Sequence, residues 1–134
     1  MEKEILGSRF TRQMAVPKEQ LASSMCEGSV PVFATPMMIA LMEETSAQCL
    51  ESFLQEGQTT VGYGVDIVHL APALEGETVR ADVDVIQAEG RKFTFRVRVS
   101  SVSTGEIIGE GTHSRFVIDR ARFEQKLLRR AEGQ

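Results

Sequence analysis

Gly57 divides the chain into two patterns of apolar and polar positions. Beyond it, apolar residues recur with period two, the signature of half-buried strands. From Thr59 to Leu70, Val61, Tyr63, Val65, Ile67 and His69 share one parity and Asp66 falls on the other; Pro72 stops the run. From Thr78 to Gln87, Val79, Ala81, Val83 and Val85 point one way, and Arg80, Asp82 and Asp84 the other. From Lys92 to Val102, Phe93, Phe95, Val97 and Val99 form the apolar face. A three-residue connection, Ala88-Glu89-Gly90, sets Val85 opposite Phe93, Val83 opposite Phe95, Val79 opposite Val99 and Asp82 opposite Arg96, with Gly90 in the left-handed position. A two-residue loop sets Phe95 against Asp84 and mixes the faces. After the turn Ser103-Thr104-Gly105-Glu106, a last strand runs from Ile107 to Ile118, loosened by Gly109 and Gly111. Arg120 to Arg130 reads as a short basic helix on which Phe123, Leu127 and Leu128 can pack.

Before Gly57 the pattern is different. Residues 8–16 alternate through Phe10, Met14 and Val16 and predict a strand ended by Pro17. Residues 18–25 suit a short helix, and Gly28 and Pro31 bracket a loop. A long helix follows from about Pro36 to Phe53 or Leu54, ending at Glu56-Gly57. Thr35-Pro36 is a helix start: Thr can cap the first turn, and Pro at the first position gives up an N–H that lacks a helical partner. Met37 to Met42 are apolar or small throughout, as in a buried helix. Then come two carboxylates. Glu44 shares a face with Gln48, Glu51 and Gln55, which should reach water. Glu43 shares its stripe with Ile39, Ala40, Ala47, Leu50 and Leu54, which should be core, and an uncompensated buried charge is costly.

The order is strand, helix, then four strands, expected as an antiparallel meander. Such a sheet must bury one face, and only the long apolar helix can cover it. The expected class is therefore α+β, in one domain spanning residues 1–134. A chain of 134 residues is long enough for a sizeable core. A net charge of −4 argues against a nucleic-acid ligand. No apolar run approaches the length of a bilayer span, and the first residues lack the apolar block of a signal peptide, so the expectation is a cytoplasmic protein without a membrane partner. Cys26 and Cys49 are too few for a disulfide scaffold, and no metal-ligand spacing occurs.

Beyond fold class, Val32-Phe33-Ala34-Thr35, Leu41-Met42-Glu43, Gly62, Val68-His69 and Gly111-Thr112-His113-Ser114-Arg115 resemble the signature positions of the fluoroacetyl-CoA thioesterase family. The resemblance runs from the first strand to the strand carrying Arg115. It implies the hot-dog fold, in which a long central helix is wrapped by a five-stranded antiparallel sheet, and a homodimer with its site at the subunit interface. It nominates Thr35, Glu43 and His69 as the catalytic set and Gly62 and Arg115 as substrate-binding residues, and Phe33, with Met37, Met38 and Ser29, is expected to line a compact apolar pocket for the acyl group. It implies no metal and no cofactor, CoA being part of a small acyl-CoA substrate. One departure bears on the acyl group. The lid segment of the fluoroacetyl-specific enzyme carries a bulky Phe, and the ungapped match here is Ser29, within a poorly matching stretch from Lys18 to Pro31.

Each nominated residue also has a purely structural reading. Thr35 serves as a helix cap, Glu43 as a carboxylate satisfied by Arg115 or backbone donors, His69 as a hydrogen-bonded core histidine, and Gly62 as a bend in a twisted strand. His113 reads as structural. Thioester hydrolysis needs a nucleophile or base, a donor for the developing oxyanion, and a proton for the departing thiolate. Glu43, the Gly62 N–H, Thr35 and His69 can supply these, either through an anhydride or through general-base activation of water. The alternative is a non-catalytic acyl-CoA binding or sensing module of the same fold.

Overall fold

The computed structural model describes residues 2–133. A short N-terminal turn of helix, α1 (Glu2–Ile5), is followed by β1 (Arg9–Ala15), a single 3-10 turn (Lys18–Gln20) and α2 (Ala22–Met25). The long helix α3 (Thr35–Glu51) comes next, then β2 (Gln58–His69), β3 (Thr78–Glu89), β4 (Lys92–Ser101), β5 (Ile107–Asp119) and a C-terminal helix α4 (Arg120–Glu132). The five strands form one antiparallel sheet that wraps α3, the hot-dog arrangement expected from the resemblance. Among the described residues, no helix is long and apolar enough to cross a membrane.

Helix α3 begins where Pro36 permits, but Ala34 is the residue at its N-cap and Thr35 is already helical. The Thr35 hydroxyl does not cap the helix. The buried side carries Met38, Leu41, Met42, Thr45, Ser46, Cys49 and Leu50. Its two hydroxyls are satisfied within the helix, Thr45 Oγ1 donating to the Leu41 carbonyl at 2.6 Å and Ser46 Oγ to that of Met42 at 2.8 Å. Against this face lie Val79, Ala81, Val83 and Val85 from β3 and Phe93, Phe95, Val97 and Val99 from β4, all buried. The stripe of Ile39, Ala40, Glu43 and Ala47 is only half-buried. Of the stripe expected as core, Leu50 is buried, whereas this part flanks the core and is not covered as its apolar pattern suggested.

The sheet order is β1-β3-β4-β5-β2, so the consecutive meander expected of the last four strands holds only for β3, β4 and β5. The connection from Leu70 to Glu77 carries the chain across to the far side. It is fixed there by backbone bonds between Val16 and both Gly76 and Glu77, and by the fully buried Ala73, whose carbonyl accepts from the Phe33 N–H at 2.8 Å. β2 is left as an edge strand, paired only with β5.

Among the described residues, the register shifts at three places, Ile86, Tyr63 and Ile108, and the first two decide the pairings expected from the sequence. The first lies at Ile86, between Val85 and Gln87. It allows a two-residue turn at Gly90-Arg91 and places Val85 opposite Phe95, Val83 opposite Val97 and Ala81 opposite Val99. The expected register was therefore two residues out, a slip that preserves the buried face and re-partners the outer charges. Arg96 meets Asp84 at 3.4 Å, and Arg98 meets Glu110 at 3.1 Å. The second bulge lies at Tyr63, between Gly62 and Gly64. Before it, Thr60 and Gly62 stand opposite Val117 and Arg115; after it, Val65, Ile67 and His69 stand opposite His113, Gly111 and Gly109. The single parity expected from Val61 to His69 is broken here. Tyr63 turns to the other face, edge-on to Phe116 at 4.9 Å with Lys92 5.0 Å from its ring.

Two glycines in β5 are needed for close approach. A Cβ at Gly109 meets the Met38 sulfur and methyl at 2.5 Å and the Val68 carbonyl at 3.0 Å; one at Gly111 meets the Asp66 carbonyl oxygen at 1.9 Å. A thioether end can move, whereas the backbone of a paired strand cannot without breaking the ladder. Gly111→Ala is therefore expected to destabilise the fold by about 3 kcal/mol or more, and Gly109→Ala by about 1–2 kcal/mol. Urea unfolding midpoints test the order, and equal midpoints would refute it.

Candidate active site

The nominated residues form two groups within one protomer. In the first, Glu43 projects from the middle of α3 onto the bulged stretch of β2. A Cβ on Gly62 would lie 2.7 Å from Glu43 Oε2, so the missing side chain is what lets the carboxylate rest against the strand. Arg115 Nη1 is 3.8 Å from the same oxygen. The Arg115 guanidinium is nearly buried and held on three sides. Its Nε donates to Thr60 Oγ1 at 2.9 Å, its Nη2 to the Thr60 carbonyl at 3.2 Å, and its Nη1 meets His113 Nε2 at 3.1 Å. His113 Nδ1 lies 2.8 Å from the Gly64 carbonyl. A carbonyl only accepts, so the proton sits on Nδ1, and Nε2 is the acceptor for Arg115.

In the second group, Thr35 Oγ1 and His69 Nδ1 are 2.7 Å apart. The Thr35 hydroxyl is therefore paired with a histidine at the far end of β2, in place of the capping role its position suggested. His69 Nε2 is buried and has no hydrogen-bond partner among the described residues. Burial lowers the His69 imidazole below its ordinary value of 6.5, with the Ala71 backbone partly opposing. His113 is lowered chiefly by burial and secondarily by the Arg115 charge, opposed by the Gly64 backbone and by Glu43. Burial also lowers Arg115, with Glu43 opposing. Both imidazoles are thus held toward the neutral form.

These groups do not meet within one chain. Thr35 and Glu43 are eight residues apart on one helix, a rise of about 12 Å. Gly62 and His69 are seven residues apart along one strand, about 20 Å. The two adjacent carboxylates point to different partners, as their helical positions predicted, but Glu43 is half-buried and not enclosed in the core as expected. Glu44 is exposed and paired with Arg12 at 2.9 Å, while Glu43 is turned toward Gly62 and Arg115, its side chain 41% exposed in this protomer. Phe33 is fully buried in the core and bridged to Leu21. Ser29 is exposed. Sequence reasoning passed over Thr60, whose parity the bulge disguises, and read His113 as structural. The available signal was the His113-x-Arg115 spacing, which puts both side chains on one face of β5.

Taken together, the groups offer a carboxylate beside an anchored cation and bare backbone, and a hydroxyl–imidazole pair. Among the described residues, no three His, Cys, Asp or Glu side chains converge as metal ligands. Known proteins share this arrangement of chain. Residues 16–121 match the family model described as fluoroacetyl-CoA-specific thioesterase. The fluoroacetyl-CoA thioesterase of Streptantibioticus cattleyicolor is 30% identical over 128 residues, 91% of each chain. Among solved structures, a variant of the fluoroacetyl-CoA-specific thioesterase FlK in complex with fluoroacetate and CoA superimposes with a TM-score of 0.81 at 31% identity, covering 88% of this chain and 98% of that one. A thioesterase superfamily member from Thermus thermophilus reaches a TM-score of 0.87 at 28% identity, covering 96% of both chains. With its central helix, wrapped sheet and carboxylate site in that setting, the chain belongs to the fluoroacetyl-CoA-specific thioesterase family, whose members are thioester hydrolases.

Proposed function

We propose that the protein is a homodimeric acyl-CoA thioesterase that hydrolyses a small acyl-CoA to the free acid and CoA, with Glu43 as nucleophile or general base. The observation that carries this reading is the contact of the Glu43 carboxylate with the bare Gly62 backbone beside the anchored Arg115. A thioester carbonyl at Gly62 lies within reach of Glu43. In one route the carboxylate adds to the carbonyl carbon, the C–S bond breaks, and water then opens the anhydride. In the other, Glu43 takes a proton from water as its oxygen bonds to that carbon. In both, the oxyanion is stabilised by the Gly62 N–H and the departing thiolate leaves as CoA thiol after taking a proton. The hydroxyl–imidazole pair of Thr35 and His69 is suited to moving that proton.

The separation of the two groups supports the dimer. β2 is a long unpaired edge carrying exposed Tyr63, Val65, Val68 and Leu70, and such edges in soluble proteins are normally covered. Antiparallel pairing of β2 with the β2 of a second copy, centred on Asp66 and passing over the bulged Tyr63, sets Gly62 opposite the partner's His69. Each carboxylate group then lies beside a hydroxyl–imidazole pair from the other subunit. The departure at Ser29 bears on the acyl group: without a bulky lid side chain, the pocket has no feature that singles out fluorine.

Three outcomes are expected. Glu43→Gln should lower kcat by about 10²–10⁴-fold with folding retained, whereas Glu44→Gln should stay within a few-fold of wild type. Single-turnover thiol release and circular dichroism measure this. Wild-type turnover in Glu43→Gln removes the mechanism, and tight CoA-ester binding without wild-type turnover on any acyl-CoA replaces it with the binding-module reading. Light scattering should give twice the 14.8 kDa chain mass at micromolar concentration. Val65→Asp, which places a charge on the paired edge, should yield an inactive monomer; a stable, active wild-type monomer overturns the proposal. Acetyl-CoA and fluoroacetyl-CoA should differ in kcat/KM by less than about 100-fold. A preference of several orders of magnitude for the fluorinated ester would show that selectivity resides outside the lid position.

A further inference from the structure

His113 is 1% exposed, yet it is a polar ring with both nitrogens engaged. Its environment is defined on every side. Gly64 on β2 accepts from Nδ1, Arg115 on β5 donates to Nε2, and the Phe95 ring on β4 lies 25° from the plane of the imidazole with centroids 6.5 Å apart. The only charged groups facing it among the described interactions are Arg115 and, from α3, Glu43. A histidine kept for packing alone needs no such matched pair of bonds, and an apolar ring fills the same space without burying polar atoms.

The matching is directional. The Gly64 carbonyl fixes the proton on Nδ1, which leaves Nε2 a lone pair aimed at Arg115 Nη1. Thr60 holds the other two nitrogens of the guanidinium, through Nε and Nη2. Thr60 and His113 together therefore set the plane of Arg115, and with it the direction in which Nη1 faces Glu43 Oε2 at 3.8 Å. A bulge residue apart from Gly62, the Gly64 carbonyl ties this chain of contacts to the same irregular stretch of β2 on which the carboxylate rests.

We infer that His113 is a positioning residue for hydrolysis: as a neutral Nδ1–H tautomer, anchored on Gly64, it orients Arg115 and thereby the Glu43 carboxylate. The inference rests on the reading of Glu43 as the reacting group. Removing the acceptor leaves Arg115 Nη1 buried and unpaired, free to swing toward Glu43 and draw the carboxylate off line. Misplacement of a reacting group by about 1 Å can cost up to about 10²-fold in rate.

The test uses the full-length protein and the acyl-CoA on which wild type turns over fastest. His113→Phe keeps a ring but no acceptor, and should lower kcat by about 10–100-fold with KM changed less than about 3-fold. His113→Gln restores one donor and one acceptor and should recover most of that loss. In an Arg115→Ala background, His113→Phe should cost less than about 3-fold further, because its effect travels through Arg115. Wild-type kcat in folded His113→Phe, or an equal cost with and without Arg115, overturns the inference. Should His113→Phe not fold, His113→Gln and His113→Asn replace it: the shorter amide cannot span Gly64 and Arg115, so it should be clearly slower, and equal kcat for the two overturns the inference. Glu43→Gln, assayed alongside, separates the two readings. If it turns over like wild type, the reading of Glu43 fails; if it is inactive while His113→Phe is unaffected, only the role of His113 fails.

Discussion

The burial of one guanidinium governs the middle of this protein. Arg115 is 8% exposed, and a cation removed from water to that degree is tolerated only when its N–H groups find fixed partners. Thr60 and His113 provide them from two adjacent positions, one on the neighbouring strand and one on Arg115's own. Glu43 supplies the opposite charge from the helix above. Three elements, α3, β2 and β5, are thereby tied to one polar point within an otherwise apolar layer. The rest of the core, from Met38 and Met42 to Phe93 and Phe95, keeps water from the Arg115 and His113 side of that point and so strengthens the contacts made there.

Close approach is the second constraint. The helix can lie on the sheet at this distance only because side chains are missing where its own are largest or most polar. Gly109 receives Met38, and Gly62 receives Glu43. Gly111 does a different task, admitting the backbone of β2 against β5. These glycines look alike in the amino-acid sequence, but they relieve three different contacts: with a thioether, a carboxylate and a carbonyl.

Much of the fold could be read from the pattern. The long helix, the five strands and their turns lie close to their expected positions, because Pro36, Gly57, Pro72 and Gly90 punctuate runs of clear periodicity. The different directions of Glu43 and Glu44 followed from a 100° turn about the helix, although Glu43 is only half-buried. The bulges at Tyr63 and Ile86 were hidden, since an extra residue in a strand leaves no mark in composition and shifts parity only once its partner is known. The crossing of the chain that places β2 beside β5 was equally invisible, being decided by contacts of the loop around Ala73. Of the site, Glu43 and Gly62 could be nominated separately, through resemblance, but their contact depends on the bulge. His113 was read as structural, and an inward histidine looks the same from sequence whether it fills space or orients a neighbour.

The bulge at Tyr63 divides β2 into two segments that are phased independently. On one side of it the strand answers to Arg115 and the helix; on the other it answers to the glycines of β5 and ends at His69. In an uninterrupted strand, inserting or deleting a single residue inverts every side chain downstream. Here an irregularity already sits between the two segments, so a change of phase can be absorbed at that joint while both ends keep their facing. Within such a scaffold, the end that holds the carboxylate and the end that holds the imidazole are able to drift separately, and acyl-group preference can diversify without rebuilding the sheet.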